Sequence, residues 1–316
     1  MNRREFTGTL FALWAVALSP IACSPSQGAR KKIDPNLTVF LSDIHICGEL
    51  EGGKSLHYPN NPISLKENVD QILSLNPLPA HVFIFGDVAW DYGLEEDYIY
   101  AKELLQPLEE AGIQITLGLG NHDRRAPFFK VFPEYKQTTK VADRVVSVVE
   151  LPYADFVMLD TLSELPELPP RKSTTVSGEL DEAQMEWLKK FLAESKRPVF
   201  LGAHHPLGDL PALMELITHS PTVAGFICGH LHIWNNKAYI LRKRKPERMI
   251  PIVELPSTFY GDIGFATFRM DPQGAILSYS SQGFWWPEPA QNPPPQWEAR
   301  QKDLANETCR FIFNKI

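Results

Sequence analysis

Side chains that could bind metal ions occur in five short segments of this chain. Carboxylates, an amide oxygen and imidazoles form a mixed set of oxygen and nitrogen donors that suits Mn, Fe, Zn or Co. The segments are Asp43-Ile44-His45, Gly86-Asp87, Gly120-Asn121-His122-Asp123, His204-His205-Pro206 and Gly229-His230-Leu231-His232. Two metals need one bridging ligand, and Asp87, a single carboxylate at the centre of the set, fits that role.

Each segment directly follows a run of apolar residues that predicts a buried strand. The runs cover residues 37–41, 82–85, 113–119, 198–203 and 223–228. Continuous apolar runs of this length are typical of strands covered on both faces, as in a mostly parallel α/β sheet. Because ligands bind beyond the carboxyl ends of such strands, we expect the five segments to form one site. Asp43 and His45 are two residues apart, as are His230 and His232, so each pair projects to one side of an extended strand end.

Helical periodicity between these runs indicates an α/β fold. A capping box at residues 64–67 predicts the start of a first helix, and Pro77 predicts its end. A second helix has apolar residues on one face between Tyr98 and Leu108 and ends at Gly112. The other predicted elements are helices at 181–194 and 211–219, short strands at 145–149 and 156–159, antiparallel strands at 250–255 and 265–270, and a turn at 271–274.

The five segments, in this order, resemble the motifs of the calcineurin-like metallophosphoesterases. Gly178-Glu179-Leu180 and Trp187-Leu188 are similar to a further helix motif of that family. The resemblance implies an α/β fold in which a two-sheet sandwich is flanked by helices. It also implies a phosphoesterase with two divalent transition metal ions (Mn, Fe or Zn), in which a metal-bridging hydroxide attacks a phosphate monoester or diester. The expected partner is a small phosphate ester.

Roles for individual residues follow from this resemblance. The first metal would be bound by Asp43, His45, His232 and the bridging Asp87. The second would be bound by Asp87, Asn121, His204 and His230. The resemblance places His122 at the leaving group of the substrate, with Asp123 positioned to orient it. His205 is expected behind the ligands or facing the substrate, and Arg124 is expected to face the substrate, with solvation or ion pairing as the alternative for Arg124 and Arg125.

One departure concerns the residue three positions after Asp87. Purple acid phosphatases have a tyrosine ligand there, whereas this chain has Trp90, so no purple ferric–tyrosinate site is expected. The motif forms are nearer to bacterial cyclic-nucleotide and glycerophosphodiester phosphodiesterases. Trp90, Asp91 and Tyr92 are predicted either to line the pocket or to anchor a buried loop. Histidines outside the motifs are predicted to be surface or satisfied core residues: His57, His81 and His219.

The chain divides into four predicted parts. Residues 1–22 are an export signal, 23–34 a tether, 35–284 the metallophosphoesterase domain and 285–316 a C-terminal tail. Arg3-Arg4-Glu5-Phe6 resembles the twin-arginine signal, and the apolar stretch at 9–22 suits a signal peptide, with general secretion and a retained anchor as alternatives. Cys23 resembles a lipoprotein acceptor, with plain cleavage as the alternative. We therefore expect a protein of the bacterial envelope or periplasm.

Composition excludes some functions. The formal charge of −7 and the pI of about 5.8 give no electrostatic footprint for nucleic acid. The basic run at 242–245 predicts a solvated hairpin tip, with a phosphate-binding patch as the alternative. Without the leader three cysteines remain, Cys47, Cys228 and Cys309, and an odd count does not predict a disulfide framework. Buried thiols are favoured over a chance pair of Cys47 and Cys228.

Two other functions fit part of the pattern. The same scaffold could serve as a catalytically silent, metal-binding envelope lipoprotein. A mononuclear hydrolase of peptide or amide bonds is a further alternative, but the chain has no His-Glu-x-x-His helix. Because all seven candidate ligands and His122 are present, we favour the phosphoesterase. Metal content and hydrolysis of a phosphodiester distinguish the three.

Overall fold

Strands and helices alternate along the computed structural model, which describes residues 31–165, 174–242, 248–258, 262–284 and 307–313. The strands are β1 Ile33–Leu41, β2 Leu50–Glu51, β3 Lys54–Ser55, β4 Leu78–Ile84, β5 Gln114–Leu117, β6 Ser147–Glu150, β7 Asp155–Met158, β8 Val199–Ala203, β9 Val223–Cys228, β10 Asn235–Arg242, β11 Arg248–Glu254, β12 Asp262–Asp271, β13 Gly274–Phe284 and β14 Glu307–Ile312. The helices are α1 Asn60–Ser74, α2 Glu95–Glu110, α3 Arg125–Val131, α4 Pro133–Thr138, α5 Glu182–Glu194 and α6 Pro211–His219.

These strands form two six-stranded sheets and a short β2–β3 hairpin. The first sheet has the order β14-β13-β12-β1-β4-β5, and the second has the order β10-β11-β9-β8-β7-β6. In the first sheet β1, β4 and β5 are parallel, so their carboxyl ends meet at one edge. In the second sheet β8 and β9 are parallel and do the same. The strands that precede the five candidate segments therefore all end where a parallel sheet binds its ligands.

Side-chain alternation explains why the central strands are apolar on both faces. In β1, Phe40 packs in the core between the two sheets, whereas Val39 and Leu41 pack in the core under the helices α1 and α2. In β4, Phe83 points between the sheets, and Val82 points toward the helices. The second sheet likewise has its own outer core, which it shares with α5 and α6. The predicted α/β fold, a two-sheet sandwich flanked by helices, is confirmed.

Phenylalanine rings fill the space between the sheets. The Phe40 ring lies 5.4 Å from that of Phe156 in the second sheet, and 5.0 Å from that of Phe268 in its own sheet. Edge-on and offset pairs at such distances are favourable beyond the area they bury. Gly202 makes room for this packing, because a Cβ atom there would lie 2.6 Å from the Phe156 ring. This aromatic layer fixes the separation of the two sheets.

The first helix begins earlier than predicted. α1 starts at Asn60, so Ser64 is buried inside the helix, and the predicted capping box is wrong. The reason is a tertiary contact: the Asn61 side chain donates to the carbonyl of His45 and fixes the first turn of α1 to the candidate site. By contrast, α5 begins as predicted, because the Asp181 carboxylate caps it by accepting from the Gln184 amide.

The folded domain also extends beyond the predicted boundaries. β1 begins at Ile33, inside the predicted tether, and β14 pairs with β13 although it lies in the predicted tail. Cys47 and Cys228 are free and buried, as predicted, and Cys309 is also free and buried. No helix in the described ranges is long and apolar enough to cross a membrane. The predicted export signal, the lipidation of Cys23 and residues 243–245 of the predicted hairpin tip lie outside the described residues.

The buried His81 predicts a pH-dependent stability that does not involve the candidate site. Burial lowers its pKa from 6.5 to about 4, and its Nε2 lies 2.7 Å from the Thr116 hydroxyl. As the pH falls, the unfolded chain takes up a proton at His81 before the folded chain does, so stability is lost between about pH 6.5 and 4. From pH 7 to pH 5, the free energy of unfolding should fall by about 2 kcal/mol more in the wild type than in His81→Gln.

Urea unfolding at the two pH values measures this difference. Gln keeps a hydrogen-bonding group for Thr116 but cannot ionise in this range. An identical pH dependence in both proteins would show that the His81 ring does not stay neutral in the folded state.

Candidate metal centre

The structure brings all seven candidate ligands to the edge where the carboxyl ends of both sheets meet. One ligand atom from each residue of a first cluster lies within 4.8 Å of the others, and this cluster is Asp43, His45, Asp87 and His232. A second cluster meets the same limit and consists of His204, His205 and His230. The predicted grouping of Asp43, His45 and His232 around Asp87 thus corresponds to the first cluster.

A single oxygen atom connects the two clusters. Asp87 Oδ2 lies 3.5 Å from His45 Nε2 and 3.3 Å from His204 Nε2. The other oxygen, Oδ1, accepts a hydrogen bond from the His122 backbone amide. Oδ2 is therefore the atom that faces both sets of imidazoles, which is the position that a bridging ligand needs.

Ligand atoms of His230 and Asn121 lie close to His204. Its Nε2 lies 3.1 Å from His230 Nδ1 and 3.2 Å from Asn121 Oδ1. In the first cluster, His232 Nε2 lies 3.2 Å from Asp43 Oδ1. Metal–ligand bonds of about 2.1 Å place neighbouring ligand atoms about 3.0–3.4 Å apart in octahedral or tetrahedral geometry. The observed separations have that size.

The backbone at these residues is unusual. Five of the candidate ligands have a positive φ, in the left-handed region that side-chain-bearing residues rarely adopt: Asp43 at 53°, His45 at 44°, Asp87 at 47°, His230 at 70° and His232 at 55°. Such conformations persist only where surrounding contacts hold them, and they concentrate at functional sites. Here the Asp43 and His45 amides donate to the carbonyls of Gly86 and Asp87 across the two strand ends.

Hydrogen bonds from the far side of two imidazoles fix their orientation. His204 Nδ1 donates to the Phe85 carbonyl at 2.9 Å, and His45 Nδ1 donates to the Trp90 carbonyl at 3.2 Å. With Nδ1 directed to a carbonyl, Nε2 of each ring is the atom that faces the cluster. This is the orientation that metal-binding histidines take.

Opposite charges compensate one another within the two clusters. Burial raises the pKa of Asp43, but His232 and His204 lower it more and hold it at about 2. Burial lowers the pKa of His204, but Asp87 and Asp43 outweigh burial and raise it to about 9. Metal binding at His204 Nε2 would therefore release a proton.

Comparison with known proteins gives the family. A family model described as calcineurin-like phosphoesterase matches residues 37–234, which include all five candidate segments. The chain belongs to the calcineurin-like phosphoesterase family. It is a phosphoric ester hydrolase, and the buried Asp and His clusters are its candidate metal ligands.

Relatives of this phosphoesterase include named phosphodiesterases. It is 30% identical over 209 residues to a probable cyclic nucleotide phosphodiesterase of Rhodopseudomonas palustris, covering 61% of this chain and 70% of that protein. It is 26% identical over 207 residues to a 3′,5′-cyclic adenosine monophosphate phosphodiesterase of Vibrio vulnificus, covering 61% and 68%. The solved purple acid phosphatase PPD1 of yellow lupin shares the fold, with a TM-score of 0.53, 16% identity, and coverage of 79% of this chain and 52% of that one.

The carboxylate beside His122 in this phosphoesterase is Asp91. Its Oδ1 lies 3.3 Å from His122 Nδ1, and both side chains are about one-third exposed.

Asp123 was predicted to orient His122, and this is wrong. Its buried carboxylate accepts from the amides of Ala89 and Gly120 and from the Tyr98 hydroxyl. Burial and the nearby Asp87 raise the pKa of Asp123 to about 6. Asp123 thus holds the loop after β4 to the loop after β5.

The structure places the other two predicted site residues, Arg124 and His205, in the interior. Arg124 is 6% exposed and its guanidinium donates to the carbonyls of Asn121 and Asp123, so it braces this loop rather than facing the substrate. Arg125 is paired with Asp160 and Glu164, which matches the predicted alternative for it. His205 lies in the second cluster, with Nδ1 2.8 Å from the Thr161 hydroxyl.

Sequence reasoning named Asp91 only as a residue that lines the pocket or anchors the loop. The usable signal was its position on the same strand-end loop as Asp87, four residues further along the chain. Adjacency to His122 in the chain favoured Asp123 instead, but the backbone turns between them, and the two side chains diverge.

Substitution of Gly120 tests the position of the Asp87 carboxylate. A Cβ atom at Gly120 would lie 2.2 Å from Asp87 Oδ1 and 2.7 Å from His204 Cε1. Gly120→Ala should therefore push the Asp87 carboxylate out of place, destabilise the protein by about 1–3 kcal/mol and reduce its bound metal. Urea unfolding and elemental analysis of the purified protein measure the two effects.

Gly208→Ala is the matched control, because its Cβ would meet no atom within 4 Å. It should change stability by less than about 1 kcal/mol and leave the metal content at the wild-type level. Wild-type metal content in Gly120→Ala would contradict the placement of Asp87 between the two clusters.

Proposed function

We propose that this phosphoesterase hydrolyses phosphodiesters with two divalent transition metal ions. The first would be bound by Asp43, His45, Asp87 and His232. The observation that carries the proposal is the position of Asp87 Oδ2, 3.5 Å from His45 Nε2 and 3.3 Å from His204 Nε2. The second ion would be bound by Asp87, Asn121, His204 and His230, so that Asp87 serves both ions.

The described residues fit a metal pair chemically. The donors are carboxylate, amide and imidazole groups, as Mn, Fe or Zn sites require, and the ligand imidazoles are oriented by carbonyl groups behind them. His205 Nε2 is buried without a hydrogen-bond partner in the described part of the chain, so it is available to a cation or to a phosphate oxygen. Bound metal ions would supply an acidified water nucleophile and positive charge for the phosphate oxygens.

His122 is proposed to protonate the leaving group. Its backbone amide is fixed to Asp87, and its ring stands 4.8 Å from that of His45, beside the proposed metal pair. Because Nδ1 faces Asp91, the other ring nitrogen, Nε2, is the one that can reach a substrate oxygen. The Asp91 carboxylate would stabilise the protonated ring and keep it in this orientation.

The substrate class rests on the relatives. Two phosphodiesterases that are named for cyclic nucleotides match about three-fifths of this chain. We therefore propose a nucleotide phosphodiester, such as a 3′,5′-cyclic nucleotide, ahead of a phosphate monoester. Trp90 further argues against the purple acid phosphatase type of site, because an indole cannot serve as the phenolate ligand of ferric iron.

Metal analysis of the purified protein tests the two-metal proposal. We expect about two transition metal ions per chain, loss of phosphodiesterase activity on chelation, and no intense purple colour. Asp87→Asn should lower the metal content and the rate together, because the substitution removes the carboxylate shared by both ions. An active preparation with one metal or none per chain would refute the proposal.

Substitution of His122 separates proton donation from metal binding. His122→Ala should keep both metals and lower kcat by roughly 10²–10⁴-fold on a substrate with a poor leaving group. The loss should be much smaller with a nitrophenyl ester, because nitrophenolate departs with little need of a proton. Equal losses on both kinds of ester, with the metals retained, would assign His122 to phosphate positioning instead.

A further inference from the structure

Three aromatic side chains stand together beside the proposed metal centre. The Tyr58 and Trp90 rings lie 4.6 Å apart between centroids, and the His57 ring is stacked on that of Trp90 at 6.0 Å and 17°. Trp90 in turn lies 6.3 Å from the ring of the candidate ligand His45. We call His57, Tyr58 and Trp90 the aromatic platform.

His57 and Tyr58 of the platform are exposed, unlike the aromatic residues of the core. Tyr58 is 44% exposed and the His57 side chain is 53% exposed, while Trp90 is half-buried. Rings that served only to anchor the loop before α1 would gain most from full burial. A contiguous aromatic surface that remains exposed next to a catalytic centre is instead typical of a ligand-binding surface.

Specific contacts position the platform relative to the metal centre. The Asn61 side chain donates to the His45 carbonyl at 3.0 Å, and the Asn61 amide donates to the Tyr58 carbonyl at 3.0 Å. Tyr58 thus connects through one residue to a candidate ligand. Its φ of 43° is in the same left-handed region as five of the ligands. Backbone strain of this kind is retained where the position of a side chain matters.

We propose that the aromatic platform stacks the nucleobase of the substrate while the phosphodiester lies at the metal centre, an assignment that rests on the proposed function above. In a 3′,5′-cyclic nucleotide both ester oxygens belong to one ribose, so the base is one sugar away from phosphorus. The Trp90 ring lies 6.3 Å from the ring of the candidate ligand His45, so the platform is adjacent to the proposed metal centre. Every base has a π face, so such a platform selects nucleotides over base-free diesters without strict preference among bases.

Paired substrates and a tyrosine substitution test this selection. The substrates are cyclic AMP and the abasic cyclic ribose phosphate, which differ only in the base. The wild type should prefer cyclic AMP in kcat/KM, and Tyr58→Ala should raise the KM for cyclic AMP by about 5- to 100-fold with little change in kcat. Tyr58→Phe, which keeps the ring, should retain most of the preference. Tyr239→Ala, which removes an exposed tyrosine of β10, is the matched control and should leave the kcat/KM for both substrates unchanged.

Direct binding separates failure of the platform from failure of the proposed function. Quenching of tryptophan fluorescence is followed during titration with AMP and with ribose 5-phosphate. The wild type should bind AMP more tightly, and Tyr58→Ala should lose that difference, even if neither cyclic ester is hydrolysed. Equal affinity of the wild type for AMP and ribose 5-phosphate would overturn the proposal that the platform stacks the nucleobase. The same conclusion follows if Tyr58→Ala weakens both ligands, or both substrates, by the same factor.

Discussion

Burial of two carboxylates at one point is the constraint on which the rest of this structure depends. Asp43 and Asp87 are at most 2% exposed, and ionised carboxylates at such positions are costly unless hydrogen bonds and positive charge compensate them. Backbone amides supply part of the compensation: His122 donates to Asp87, and His230 donates to Asp43. Imidazoles supply more, and they leave one oxygen of Asp87 facing both clusters. This oxygen, Asp87 Oδ2, is suited to bind metal cations.

The sandwich follows from the need to surround that oxygen from two sides. Asp43, Asp87 and Asn121 come from the first sheet, and the ligands after β8 and β9 come from the second. Bonds across the gap join the sheets at the site itself, since His204 donates to the Phe85 carbonyl and the His230 amide donates to Asp43. Behind the site, the phenylalanine layer sets the distance between the sheets. Core packing therefore sets the separation of the strand ends that carry the ligands, and a methyl group at Gly120 would contact Asp87 and His204 directly.

Much of the fold and of the ligand set was predictable because its signals are local. A polar ligand directly after a continuous apolar run marks the carboxyl end of a buried strand, and five such runs predicted the meeting point of the sheets. Contacts between distant residues gave no such signal. The start of α1 depends on the bond from Asn61 to His45, which overrides a capping pattern at Ser64. The pairing of β14 with β13 joins segments separated by more than twenty residues, and the partner of His122 depends on how two loops face each other.

The structure holds the ligands and the aromatic platform by different means. The candidate ligands lie on strand ends that backbone hydrogen bonds tie together, and these bonds fix the backbone from which the ligand side chains project. The platform lies mainly on the loop between β3 and α1, fixed by the side chains of Asn61 and of Ser55, which donates to the Cys47 carbonyl. A change of Tyr58 or His57 can therefore alter which substrates bind without moving the strand ends. Trp90 is the exception, because its carbonyl orients His45 while its ring joins the platform. Trp90 would therefore link the proposed base-stacking surface to the proposed metal centre.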